Sequence, residues 1–467
     1  MGYGRIRILG GAVLLGLLAS GTALADPPAA ATPDVFADVL KQQTLLGDIG
    51  GLRPWLQQFG ATLTITETSE VLGNLTGGAR RGFEYDGLTT ATFQLDTQRA
   101  FGWEGGTFNA SALQIHGRNI STDNLMTLQT ASGIDADRAT RLWELWYQQK
   151  FWNGEADIKI GQQSLDQEFM VSSNALLFVN TAMGWPMVPS YDMPGGGPAY
   201  PLSASGVRLR AHPTSELTVL AGVFNGSPSP NNNIPDAQRA NPSGTSFPLN
   251  GGVLAIAELQ YAYPSNGGML SPGQSQPMAR TYRLGMWYDS EKFADYRFDN
   301  TGGLLAATSG NPALHRGDYG FYAVFDQMIW QSVADSNHSV SLFGRVMGTP
   351  QADRNLVDFA LNFGATLHQP LPGRDDDTLG LGIGYTHVSS RVAAFDRDLN
   401  ALGTFTPTQT GETFIELTYQ IQLAPWWQIQ PDFQYVFNIS GGEANPLLPT
   451  QKIKDEAVIG LRTNITF

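Results

Sequence analysis

The chain contains no cysteine. Disulfides therefore play no part in its stability, whatever the redox state of its compartment. Charged residues make up only 15 % of it, and the formal net charge is −14. That acidic balance argues against nucleic acid as a partner. After the N-terminal segment no run reaches the roughly 18 apolar residues of a transmembrane helix. The six histidines (His116, His212, His315, His338, His368 and His387) lie far apart, and neither H-E-x-x-H nor G-x-S-x-G occurs. No catalytic, metal or cofactor signature stands out. Asp166 and Glu168 would be the pair to consider for glycoside hydrolysis, but spacing in sequence does not give the carboxylate separation that chemistry needs.

The opening residues carry Arg5 and Arg7, an apolar run from Ile8 to Ala19, and Ala23-Leu24-Ala25 before Asp26. This is the pattern of a secretory signal peptide over residues 1–25 with an A-x-A cleavage site. Residues 26–58 read as a periplasmic leader. Val35, Phe36, Val39 and Leu40 have helical spacing there, and Pro27, Pro28 and Pro33 favour an irregular start.

Alternation dominates residues 59–467. In the last segment Ala457, Ile459, Leu461, Thr463, Ile465 and Phe467 share one face, and Val458, Gly460, Arg462, Asn464 and Thr466 the other. A strand sends successive side chains to opposite faces, so one face is greasy and the other mostly wet. Sixteen such segments fall near residues 59–72, 83–99, 106–118, 140–151, 155–163, 203–212, 216–226, 252–263, 279–290, 317–331, 338–347, 354–369, 377–389, 410–423, 427–440 and 454–467. Their lengths suit membrane strands of about 9–11 residues, and an even number is the rule for bacterial outer-membrane barrels. Connections alternate between short (Asn153-Gly154, Pro213-Thr214, Ala424-Pro425-Trp426) and long (notably 164–202). Short turns on the periplasmic rim and long loops outside are the outer-membrane arrangement. The eighth and eleventh connections depart from it. The fold expected is all-β: a transmembrane antiparallel barrel of about sixteen strands, closed by Phe467, with outer-membrane lipid and lipopolysaccharide around it.

Parity also nominates an inner surface. Arg208 and Arg210 lie opposite Val207, Leu209 and Ala211, so they point inward. The same logic sends Glu84, Asp86, Glu144, Trp146, Lys159, Glu258, Arg283 and Arg345 inward. An Arg or Lys facing lipid at the midplane would cost ~2–4 kcal/mol. Such charges can simply solvate a lumen, or line a constriction whose donors and acceptors suit a hydroxyl-rich solute. Trp146 can stack on a sugar or fill space beneath a loop. The long loop 164–202 carries Phe169, Phe178, Trp185 and Tyr191, surface that would be costly if exposed, so it is expected to fold into the pore. Parity does not separate lipid-facing from subunit-facing residues, so a homo-oligomer stays open.

Several motifs together are specific: Leu142-Trp143-Glu144-Leu145-Trp146-Tyr147-Gln148-Gln149, Gly161-Gln162, Gly184-Trp185-Pro186, Gly196-Gly197-Pro198-Ala199-Tyr200-Pro201, Gly206-Val207-Arg208-Leu209-Arg210 and Gln430-Pro431-Asp432-Phe433-Gln434-Tyr435-Val436. In this order they make the chain resemble the carbohydrate-selective outer-membrane porins of OprB type. The resemblance implies a sixteen-stranded barrel with an arginine-bearing constriction, passing glucose and similar small sugars. The alternatives are a general diffusion porin for small polar solutes and a receptor or adhesin barrel. An energy-coupled receptor would need a larger plug than residues 26–58 provide.

Overall fold

The computed structural model describes residues 39–230, 234–264 and 278–467. The strands are β1 (Ala61–Gly78), β2 (Gly82–Asp96), β3 (Gly106–Gly117), β4 (Ala139–Phe151), β5 (Ala156–Gln163), β6 (Ala204–Ala211), β7 (Leu217–Asn225), β8 (Val253–Tyr263), β9 (Arg280–Asp299), β10 (Pro312–Gln331), β11 (Ser339–Gly348), β12 (Val357–His368), β13 (Thr378–Val388), β14 (Gly411–Ala424), β15 (Trp427–Phe437), β16 (Ala444–Asn445), β17 (Leu448–Lys452) and β18 (Lys454–Thr466). β1–β15 and β18 close into one antiparallel barrel of sixteen strands, and β16 and β17 form a small separate hairpin in the last connection. All sixteen expected segments are barrel strands.

The seam joins β1 to β18, with Glu70 opposite Arg462 and Val71 opposite Leu461. Parity holds around the wall. Val71, Leu209, Leu284, Leu381, Leu417 and Leu461 are exposed on the outside, whereas Glu70, Arg208, Arg345 and Glu416 are buried inside. Closure leaves no unpaired edge, as a membrane demands.

Two strands run further than their alternation suggested. β9 was expected to end near 290 and β10 to begin near 317, yet they pair on to Asp299 and Pro312. Lys292, Asp295, Arg297 and Asp299 leave no continuous apolar face there. Here other parts of the chain, not lipid, cover the strand: Phe293, Asp295 and Asp299 are buried and Arg297 pairs with Asp398 on the helix Ser390–Ala401, so lipid-driven alternation carries no signal.

The two rims differ as expected. The connections at 152–155, 212–216 and 425–426 are tight, while 118–138, 164–203, 226–252 and 389–410 are long. The eleventh connection, 349–356, is short for its side, as is the first, 79–81, because β1 continues to Gly78. The helical spacing read at 35–40 lies almost wholly outside the described residues, as does the signal segment. Val39 and Leu40, the described part of that segment, are helical, and a further helix spans Leu52–Gln58. Residues 39–58 lie against the short-turn rim: Leu45 N–H donates to Thr466 O (2.8 Å), Trp426 Nε1 donates to Val39 O (2.9 Å), and Arg53 bonds the carbonyl of Phe467.

Candidate functional site

The fifth connection turns inward and occupies the barrel. Phe169, Met170, Phe178, Met183, Trp185 and Met187 are all buried, in one cluster with inward-facing Leu254, Ile256, Trp287, Tyr322, Val324 and Phe343. Phe178 meets Phe343 at a ring-centroid distance of 5.4 Å. Gly380 and Gly382 clear space on β13. A Cβ at either would lie 2.7 Å from a loop side chain, Leu177 or Met183. Sequence parity found the inward face of β7–β13, but much of that face is apolar and serves as the seat of this loop.

Charged wall residues fix the loop backbone. Arg345, on β11, is buried and donates to the carbonyls of Met170 (2.9 Å), Gly184 (2.9 Å), Met183 (3.1 Å) and Ala182. Glu258 accepts from Met170 N–H (2.8 Å) and Tyr322 Oη (2.8 Å). Arg283 pairs at 3.0 Å with Asp326, which accepts from the N–H groups of Ser173 (3.3 Å) and Asn174 (3.1 Å). Glu416 accepts from Val179 (2.6 Å) and Asn180 (3.2 Å) N–H. Glu144 accepts from Ser164 N–H (3.0 Å) at the loop's start. Such groups satisfy loop amides and carbonyls that would otherwise be buried without partners.

A second set of charges meets one loop carboxylate. β5 and β6 place Lys159 opposite Arg208 and Asp157 opposite Arg210. Glu168 reaches in from the loop. It bonds Lys159, and its Oε2 lies 2.6 Å from Arg208 Nε and 3.2 Å from Arg210 Nη2. Asp157 pairs with Arg208. Lys159 Nζ sits 4.4 Å above the Trp146 ring, a cation–π contact. Three cations thus face two carboxylates. Burial alone would raise the Glu168 carboxyl, but Lys159, Arg208 and Arg210 hold it below its ordinary value. Arg208 is buried, whereas the Arg210 side chain stays 29 % exposed. Arg210 and Asp157 also line a cavity of about 780 Å³ at the short-turn rim, with Gln148, Lys150 and His212.

The ten residues nominated from sequence therefore separate. Trp146, Lys159, Arg208 and Arg210 converge on Glu168, with Glu144 bound to the loop's first residue. Glu258, Arg283 and Arg345 hold the loop. Glu84 and Asp86 sit apart, on β2. Glu84 Oε2 is 3.6 Å from Arg118 Nε. Asp86 lies opposite Glu70, whose carboxylate takes Arg462. Asp135 enters this group from the third connection, and burial raises its carboxyl to about 7 against the hydrogen bond from Ser121. Asp166, the other loop acid considered, accepts from Ser164 Oγ (2.6 Å) and Tyr200 N–H (3.0 Å), and burial pushes its carboxyl up.

Arg141 escaped the sequence reading. Strict alternation puts it on the outer face with Trp143 and Leu145. A bulge between Ser111 and Ala112 pairs Glu144 with Ser111 but Arg141 with Leu113, which turns Arg141 inward. It is buried and donates to Asn241 O (3.0 Å), leaving Nε and Nη1 without a protein partner. Elsewhere among the described residues, Asp295, His315 and Asp353 bring possible ligand atoms within 4.8 Å of one another. There His315 Nε2 itself bridges the two carboxylates, at 2.8 and 3.6 Å.

Known proteins share this architecture. Porin B of Pseudomonas aeruginosa is 26 % identical over 419 residues, covering 84 % of this chain and 86 % of that protein. The high-pH structure of Pseudomonas putida OprB superposes with a TM-score of 0.79 at 23 % identity, covering 91 % of this chain and 99 % of that one. Its low-pH structure gives 0.56 at 18 % identity over the same shares. The sequence model described as "Carbohydrate-selective porin, OprB family" matches residues 80–467. With the closed barrel and its inward loop, that match over most of the chain means that the protein belongs to the carbohydrate-selective OprB porin family of the outer membrane.

Proposed function

We propose that the chain conducts small neutral sugars such as glucose passively into the periplasm, past the meeting of the inward loop with the β4–β6 wall. The observation that carries this reading is the meeting of Lys159, Arg208 and Arg210 with Glu168 at the loop. A sugar hydroxyl both donates and accepts, so it can use either sign of charge, and the cluster offers both at fixed positions. The charges largely satisfy one another, so a neutral solute exchanges hydrogen bonds without leaving a bare charge behind. A small anion would be held by the surplus cation, and a small cation repelled by it. Trp146 supports Lys159 from below in this reading. Nothing in the path needs a cofactor or an energy source.

Liposome swelling tests the proposal with glucose, a disaccharide, and an amino acid of glucose's size. Glucose should enter fastest and the disaccharide slowest. Equal rates for glucose and the amino acid would leave the pore intact and remove its preference for sugars, which is the general-diffusion alternative.

A further inference from the structure

The lipid-facing wall is not evenly clothed. On β12–β14 large side chains stand beside large ones. Phe363, Ile383 and Ile415 follow one another along one rung, and Leu381 stands opposite Leu417. All five are exposed. On β5–β8 the outward positions thin out. Ala156 stands opposite Ala211, and Ala221 opposite Ala257, with Ala255 the next outward place along β8. The rung through Ala221 reads Leu209, Ala221, Ala257, Met286: large, small, small, large.

This pattern cuts a trough into the wall. Three hollows of about 390, 460 and 380 Å³ open on the lipid side, and Ala221 lines all three. Gly222 and Gly285 also line them, so the floor there is main chain. Leu209, Val223, Leu259 and Met286 are exposed and stand as its sides. From the rung of Val219 to that of Val223 is ~13 Å at the usual strand rise. That is comparable with the half-thickness of a ~30 Å hydrocarbon core. At the periplasmic end the trough opens beside Phe151 and Trp152, at the tight 152–155 turn.

The shape and chemistry narrow the occupant. Water in a cavity needs two to four polar partners, and this lining is apolar. A void leaves its lining atoms without the dispersion contacts they would otherwise make. The trough is continuous with a wall that parity places in lipid, so the material at hand to fill it is an acyl chain. Phe151 and Trp152 mark its mouth, where the aromatic girdle of a membrane barrel meets the headgroups. The chain therefore enters from the periplasmic leaflet.

We propose that the trough over β5–β8 seats one acyl chain of a phospholipid of the periplasmic leaflet, held in place while the surrounding lipids exchange. On β12–β14 the large side chains leave no such seat, and lipid passes over them.

Photolabelling tests this on the full chain. The protein is placed in phosphatidylethanolamine vesicles holding a trace of the same lipid with a diazirine midway along one chain. After illumination, mass spectrometry locates the adducts. They should concentrate several-fold on Val219–Val223 and Ala255–Leu259 over Leu361–Ala365 and Leu379–Ile383. Filling the trough with Ala221→Phe/Ala257→Phe should remove that excess. Native mass spectrometry in mild detergent should show one phospholipid retained by the parent and none by the double variant. Glucose swelling at the parent rate shows that the variant has folded, and keeps this outcome separate from that of the pore. Labelling spread evenly around the wall, or a double variant that labels and retains lipid as the parent does, would overturn the proposal. So would a trough that stays unlabelled because another protein chain covers it.

Discussion

The inner wall has two sectors that use charge differently. On β4–β6, Lys159, Arg208 and Arg210 meet a single loop carboxylate, and one of them keeps contact with the rim cavity. On β8–β14, Glu258, Asp326, Arg345 and Glu416 are buried and spent on loop amides and carbonyls. Both sectors look alike in sequence: an isolated charge between outward apolar neighbours. What separates them is whether the loop's backbone or its side chain arrives. In the first sector the charges meet the loop through Glu168. In the second they work as staples, and aromatic packing such as Phe178 on Phe343 fills the space between them.

The largest effect that would test this division comes from Arg345→Ala. It leaves the carbonyls of Met170, Ala182, Met183 and Gly184 without their donor in a buried site, and each such loss costs about 1–3 kcal/mol. Because the loop can shift to find other donors, a total loss of about 3–5 kcal/mol is expected, read from the urea midpoint. Single-channel conductance should rise as the loop loosens. Arg208→Ala should do the reverse, lowering glucose entry with conductance little changed. If both variants gave the same pair of changes, the two sectors would be one.

A smaller effect follows from Glu168→Gln. Lys159, Arg208 and Arg210 would then face only Asp157, so reversal potentials in a salt gradient should move toward anion selectivity, and glucose entry should fall several-fold. The pH dependence has a definite sign. Glu168 is held below its ordinary value of 4.5, so its contribution is complete above that pH and is lost only as pH falls through the depressed value. Selectivity should stay level from pH 7 to about 4.5 and turn toward anions below it. Asp192, buried on the loop helix Met187–Asp192, behaves oppositely. Burial and the nearby Asp318 hold its carboxyl well above 3.8. Its contribution is present in acid and fades as pH rises through the raised value. Asp192→Asn should therefore stabilise the protein relative to the parent at neutral pH and lose that advantage near pH 3, a comparison that denaturation midpoints can make.

Why the strands were legible and the loop contacts were not follows from the same physics. Lipid imposes one rule on every outward side chain, so Leu209, Leu284 and Leu461 announce their strands wherever they stand. Where the chain itself covers a strand that rule lapses, and the ends of β9 and β10 become unreadable. Arg141 was missed because a single bulged residue, Trp143, inverts parity behind it. The long loop's inward path was readable from its own aromatics. That Arg345 would hold the loop by its carbonyls depends on two segments 175 residues apart in sequence meeting in space, and no local pattern encodes that.

The smallest effect concerns Trp146, which sequence left between stacking on a sugar and supporting a neighbour. Its ring lies beneath Lys159 Nζ, and the side chain is largely buried. A supporting role predicts that Trp146→Leu removes this cation–π contact and lets Lys159 wander. Glucose entry would drop two- to fivefold, and the disaccharide would be affected in the same proportion. A stacking role predicts a different outcome, because only solutes with an apolar pyranose face would slow, and the amino acid of equal size would not. Swelling rates for glucose and the amino acid in this one variant separate the two, and place Trp146 either with the charges it carries or with the solute that passes them.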